Sequence, residues 1–240
     1  MKALLLTGDT TYLPLVLPVL KEHLADVDVY ALGINIYAKK YGALPGLFKS
    51  AYTVEHVDPE LVVERMSHIP NLAHASVVSV EITDQHIPWM HQFDLAKELY
   101  RMIPKKYSHY IRSRFDNVMC EPCSYTEDII VPTRYHHDLD LLNKVYSDQF
   151  AVVPAHYSDV FFKFSDYYNQ FKNEITRELI AKNYNTRMDL IPEYKLKEYL
   201  DQKAIPVNSK TIKVYPYSWL HRLRNDANNA YIKDLPSGFL

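Results

Sequence analysis

Four apolar residues, 3–6, follow Met1-Lys2 and give way at once to Thr7-Gly8-Asp9-Thr10, the pattern of a buried strand over 2–7 that feeds a turn. Leu13, Leu17, Leu20 and Leu24 then recur at helical spacing, with Pro14 tolerable in a first turn. Residues 27–37, rich in β-branched and aromatic side chains, predict a second strand. A β-α-β opening of this kind implies a parallel pair joined by a right-handed crossover. Residues 51–57 predict a third strand. Asp58-Pro59-Glu60 has the chemistry of a helix start: Asp58 as N-cap, Pro59 at the first helical position, Glu60 near the positive end of the dipole.

Phe93, Leu95, Ala96, Leu99 and Tyr100 give an apolar face to a helix over 86–102. Residues 107–115 alternate well enough for a strand, with Asp116 at its carboxyl end; 128–132 and 149–153 predict two brief strands. The second half turns helical over 158–172, a stretch through Ile180, and 192–202, before a last strand at 211–217 and a basic tail. Strand and helix alternate in the first half, so the expected fold is α/β: a mainly parallel central sheet flanked by helices, with a helical C-terminal part. In such sheets ligands gather at the carboxyl ends of the strands. That rule singles out residues 7–9, 112–116 and the segment near Asp148.

Composition narrows the picture. At 240 residues, 48% hydrophobic and 23% charged, the chain suits a single globular domain. A net charge of −2 argues against a general nucleic-acid binder. The two cysteines, Cys120 and Cys123, offer no disulfide framework, which fits a reducing, cytoplasmic setting. The apolar stretch 12–20 carries Pro14 and Pro18 and cannot span a bilayer, so no transmembrane segment is expected, while peripheral membrane contact stays open. Twenty tyrosines suit surfaces that bind sugars or bases, although compositional drift explains them as well.

The strongest chemical signal is Tyr110-Ile111-Arg112-Ser113-Arg114-Phe115-Asp116. Alternation puts Arg112, Arg114 and Asp116 on one face of the strand, where three charges are costly unless paired or facing a ligand. One reading is an internal Arg–Asp salt bridge. The other is a phosphate-facing site, with arginine forks on diphosphate oxygens and Asp116 on a ribose hydroxyl or a divalent cation. Thr7-Gly8-Asp9 ends the first strand: Gly8 permits close backbone approach and Asp9 can accept from a base N–H or a ribose hydroxyl, or simply cap a turn. Neither a dinucleotide fingerprint nor a Walker A loop is present.

The segment 110–116 resembles the strand-end motif of a group of small glycosyltransferases in which an R-x-R-x-D-type strand stands in place of D-x-D. Ile129-Ile130-Val131-Pro132, then Ser147-Asp148-Gln149-Phe150-Ala151, then Pro192-Glu193 and Arg222-Leu223-Arg224 resemble its later landmarks, so the cover runs roughly from Leu95 to Arg224. The first ninety residues match only in their β-α-β layout. Chains of this type occur in bacterial surface-polysaccharide loci and in large DNA viruses. The resemblance implies a GT-A-like (Rossmann-like) fold, a nucleotide-sugar donor, a carbohydrate acceptor and a place in polysaccharide biosynthesis. The expected organisation is one domain over 1–240, with a nucleotide-binding half at 1–116 and an acceptor-side half at 117–240. A metal-dependent member would hold Mn2+ or Mg2+ with two acidic residues. Arg114 stands where the first would be and Asp116 follows as the candidate ligand, which leaves metal dependence open.

Within that reading Asp148 is the candidate general base toward the acceptor hydroxyl, with a turn or N-cap role as its alternative. Gln149, His136 and His137 are candidates for the acceptor side. Trp89, Tyr217 and Trp219 are candidate stacking platforms, and Lys210, Lys213, His221, Arg222 and Arg224 a candidate clamp or a solvated face. Cys120-Glu121-Pro122-Cys123 with His136-His137 has the makings of half a zinc site, a weak signal at this spacing. Rival functions are a non-catalytic Rossmann-like module that binds a nucleotide or a protein and, more distantly, a zinc-stabilised nucleic-acid module.

Overall fold

The structure, a computed structural model, describes residues 1–41, 51–79, 91–119, 121–132, 146–147, 149–171, 192–210 and 214–216. Asp148, His136, His137, Cys120, Trp89, Tyr217, Trp219, Lys213, His221, Arg222, Arg224 and the stretch through Ile180 lie outside the described residues.

The opening β-α-β unit forms as the pattern requires. β1 (Lys2–Gly8) runs parallel to β2 (Val27–Ile34), from Lys2 opposite Val27 to Gly8 opposite Gly33. Between them α1 (Leu13–Glu22) buries Leu13, Val16, Leu17 and Leu20, and leaves Pro18 on its exposed side. The strand expected over 27–37 is two strands: the chain breaks at Asn35 and turns into β3 (Ile36–Tyr41). β4 (Ala51–His56) pairs antiparallel with β3 instead of extending the main sheet, so it is a side hairpin and not the third sheet strand. α2 (Pro59–Ser67) starts as its chemistry dictates, with Asp58 Oδ1 accepting from the Glu60 N–H at 2.9 Å and Pro59 in the first turn.

The third parallel strand is β5 (Leu72–Val78), which hydrophobic patterning did not predict. α3 (His91–Met102) crosses to β6 (His109–Arg114), followed by β7 (Asn117–Met119), β8 (Ile129–Pro132) and β9 (Phe150–Pro154). α4 (Ala155–Phe162) and α5 (Phe164–Asn169) divide the single helix expected over 158–172. α6 (Pro192–Gln202) matches its expectation. β10 (Val207–Lys210), again unpredicted, and β11 (Val214–Pro216) complete the strands.

The main sheet has seven strands in the order β5-β2-β1-β6-β9-β8-β10. Every neighbouring pair is parallel except those made by β9, which runs antiparallel to both β6 and β8. α1 and α2 pack on one face with Leu4, Leu6, Val29 and Ala31; α3 to α6 pack on the other with Ala3, Leu5, Tyr30 and Leu32. This is a Rossmann-like α/β architecture, a mainly parallel central sheet flanked by helices with a helical C-terminal part, as the sequence led us to expect. Among the described residues no helix is long and apolar enough to cross a membrane.

Two features of this topology place the site. The chain leaves β1 toward β2 and β5 on one side, then returns as β6 on the other side of β1. The carboxyl ends of β1 and β6 therefore flank the topological switch point, where open α/β sheets form their ligand crevice. Because β9 is reversed, its amino end lies at the same rim: Phe150 stands opposite Ser113.

Candidate active site

The switch point gathers most of the described residues that the sequence singled out. Thr7 is the register partner of Arg114 across β1 and β6. Gly8 has φ +112°, a conformation that side-chain-bearing residues rarely adopt, and a Cβ built on it would meet nothing within 4 Å. The backbone is thus bare and open at the strand's exit. Asp9 folds the turn that follows: its Oδ1 accepts from the Thr11 N–H at 2.8 Å and from the Thr11 hydroxyl at 2.7 Å. Among the described residues, the buried hydroxyl oxygens of Thr7 and Thr10 have no hydrogen-bond partner.

Opposite this turn, Arg114 forks onto Asp116, with Nε to Oδ1 at 2.8 Å and Nη2 to Oδ2 at 2.7 Å. The Asp116 side chain is 9% exposed and that of Arg114 34%, so the guanidinium is the more open member of the pair. Arg112 is 1% exposed and lies over the Phe93 ring at 4.4 Å, within the α3 layer behind Arg114. The three charges expected on one strand face therefore divide. The two arginines follow the strand's alternation, whereas Asp116 lies beyond its end in the turn to β7.

Burial pushes the Asp9 carboxyl above the ordinary carboxylate range; the Thr11 hydrogen bonds oppose that shift, the Asp116 charge adds to it and Arg65 counters it. Arg65, on α2, is a member of this electrostatic cluster that the sequence did not single out. Its buried Nη1 has no hydrogen-bond partner among the described residues. Gly33 explains how α2 comes so close, since a Cβ there would lie 2.5 Å from Val62 Cγ1 and 3.3 Å from the Met66 side chain. Among the described residues, Asp9 thus interacts with Asp116 and Arg65, and Asp116 with Arg114, so charged side chains from α2, β6 and both turns meet at this crevice.

Both oxygens of Asp116 accept from Arg114, so any Mn2+ or Mg2+ at this carboxylate would have to share it with a two-point fork. Gln149, from the acceptor-side set, reaches the rim through the reversed β9. Its carbonyl accepts from Asn117 Nδ2 at 2.9 Å and its N–H is 3.4 Å from Ser147 Oγ. Cys123, on the other hand, is a part-buried thiol whose contact is Met119 Sδ at 3.9 Å, and burial pushes it up to about 12, the behaviour of an inert side chain.

No protein-family model and no curated protein matches the chain. Among solved structures it is similar to the glycosyltransferase GlyE of Streptococcus pneumoniae TIGR4, with 9% identity over 98% of this chain and 51% of that one and a TM-score of 0.43. It is also similar to the galactosyltransferase LgtC in complex with donor and acceptor sugar analogues, with 7% identity over 87% of this chain and 73% of that one and a TM-score of 0.45. The chain spans about half the length of GlyE.

Proposed function

We propose that the chain is a glycosyltransferase that moves a sugar from a nucleotide-diphosphate sugar to a carbohydrate hydroxyl. The observation that carries the reading is the convergence of Thr7–Gly8–Asp9 with Arg114 and Asp116 at the topological switch point of the sheet. A bare backbone at Gly8 and the part-exposed guanidinium of Arg114 suit a nucleoside joined to a diphosphate.

In this reading residues 1–116 supply the donor half. Asp9 and Thr7 meet the nucleoside, Arg114 meets the diphosphate, and Asp116 holds the Arg114 fork in its plane. Arg112 adds positive charge from behind. Arginine, in place of a divalent cation, neutralises charge as the leaving group departs. Residues 117–240 supply the acceptor half, where Asp148 takes the proton of the attacking hydroxyl while Gln149, His136 and His137 line the approach.

The test is a thermal-shift screen against UDP-, GDP-, TDP- and CMP-linked sugars. A ligand at a hundred times its dissociation constant adds about 2.7 kcal/mol to stability, which such a screen detects. Release of free sugar or its transfer in the presence of a responding donor separates an enzyme from a nucleotide-binding module. A chain that responds to none of the donors is not this transferase.

A further inference from the structure

Asn117 opens β7, next to Asp116, and is 2% exposed. Its backbone is fixed on one side by pairing with Pro216 of β11. Its side chain reaches the other way, where Nδ2 donates to Ser113 Oγ at 3.1 Å and to the Gln149 carbonyl at 2.9 Å. Both amide hydrogens are thereby spent on two different strands: the carboxyl end of β6 and the residue that leads into β9. The amide cannot be turned over, because that would set Oδ1 against the Gln149 carbonyl, acceptor against acceptor. Held this way round, Oδ1 is buried with no hydrogen-bond partner among the described residues. An orphaned buried acceptor is costly, and an apolar side chain of similar volume would not incur that cost.

We infer that Asn117 is a positioning residue that fixes Ser147 and Gln149, on the acceptor side, against the Arg114–Asp116 fork. Ser147, Gln149, Asn117 and Ser113 are linked in turn by hydrogen bonds that lead to the carboxyl end of β6. The inference rests on the glycosyl-transfer reading, in which the group next to Gln149 must meet the acceptor while the fork holds the donor. Asn117 touches neither substrate. It sets the distance between the two halves of the reaction, and a displacement on the order of 1 Å costs about a hundredfold in rate.

The test uses Asn117→Asp, which keeps the shape but removes both amide hydrogens, and Ser113→Ala, which removes one partner and leaves the Gln149 bond. Steady-state rates and donor dissociation constants are measured with whichever of the UDP-, GDP- or TDP-linked sugars wild type turns over. Asn117→Asp is expected to lower kcat by roughly 30-fold or more with donor affinity within about threefold of wild type, and Ser113→Ala to lower kcat by about 3–10-fold. Unchanged turnover per folded molecule would overturn the inference. So would a parallel loss of donor affinity, which would make Asn117 part of the donor site. Should Asn117→Asp not fold, an unchanged kcat in Ser113→Ala overturns it alone. Amide hydrogen exchange without ligand decides the positioning contact apart from activity. Protection at residues 149–152 is expected to fall by about tenfold or more in the variant that folds, while residues 3–6 keep theirs, and no change or an equal change at both would overturn the contact. Failure of wild type with every donor refutes the transferase reading and leaves the exchange result to judge Asn117.

Discussion

Arg114 grips Asp116 through two parallel hydrogen bonds, and the carboxylate is the more deeply buried of the two. The residues are two apart, so the grip closes over Phe115 exactly where β6 gives way to the turn before β7; Phe115 itself is buried on the α1 side of the sheet. The guanidinium is held flat and partly open to the rim while its counter-charge is kept inside. Arginine presented this way offers its fork geometry without the entropy loss of a free side chain.

Asp116→Ala is therefore expected to leave the fold intact and lower stability by about 1 kcal/mol, since water screens the part-exposed Arg114. Donor affinity should fall tenfold or more as the guanidinium loses its anchor. Melting curves with and without donor separate the two effects. A variant that melts far lower yet binds donor as wild type does would reduce the pair to a structural one.

Asp9 makes a prediction about pH. Its carboxyl is raised by burial, so between the ordinary aspartate value, about 4, and the raised one the folded state binds more protons than the unfolded state. Stability must fall as pH rises through that window, and the whole penalty stands above it. Asp9→Asn keeps an acceptor for Thr11 and discards the charge. We expect it to melt a few degrees above wild type at pH 7 and level with it at pH 3, while binding donor less well. A variant less stable than wild type at pH 7 would show that the carboxylate's hydrogen bonds outweigh its desolvation.

Gly33→Ala should cost about 1–3 kcal/mol by overpacking against Val62. Because α2 carries Arg65, the shift should weaken donor binding too. Val62→Ala opens the space, so the double variant is expected to be less damaged than the sum of the singles by about 1 kcal/mol or more. A thermal double-mutant cycle measures that coupling, and simple additivity would refute the contact as the cause.

Asp148→Asn tests the acceptor half. Removing the proton acceptor while keeping its size should leave donor affinity unchanged and lower kcat by about 10²–10⁴-fold, with kcat and kcat/KM falling together. Kinetics with donor and acceptor each varied provide the check. An unchanged kcat would send the search for the base to Glu121, Asp138, His136 and His137.

What the sequence made legible was local. The leucine spacing of α1, the Asp58-Pro59-Glu60 helix start and the apolar run of β1 each follow from neighbours in the chain. β5 escaped notice because His74 and Ser76 interrupt its apolar run, as an edge strand of the sheet permits. The reversal of β9 was hidden for a different reason, as strand direction leaves no mark on a five-residue apolar segment. Charge at 112–116 signalled a site, but not that Asp116 would close on Arg114 while Arg112 went beneath. Arg65 had no signal at all. It matters through Asp9, a residue on another element brought close only by the fold.

The pairing of β1 with β6, Lys2 beside His109, joins segments about a hundred residues apart. Such a contact closes a long loop, and chain entropy delays it until much of the intervening structure has formed. No nascent fragment that stops short of β6 can own the crevice. On the proposed reading, a donor bound there would be coupled to the pairing of β1 with β6: it could not be held by a remnant that lacks either strand, and it would protect against global unfolding.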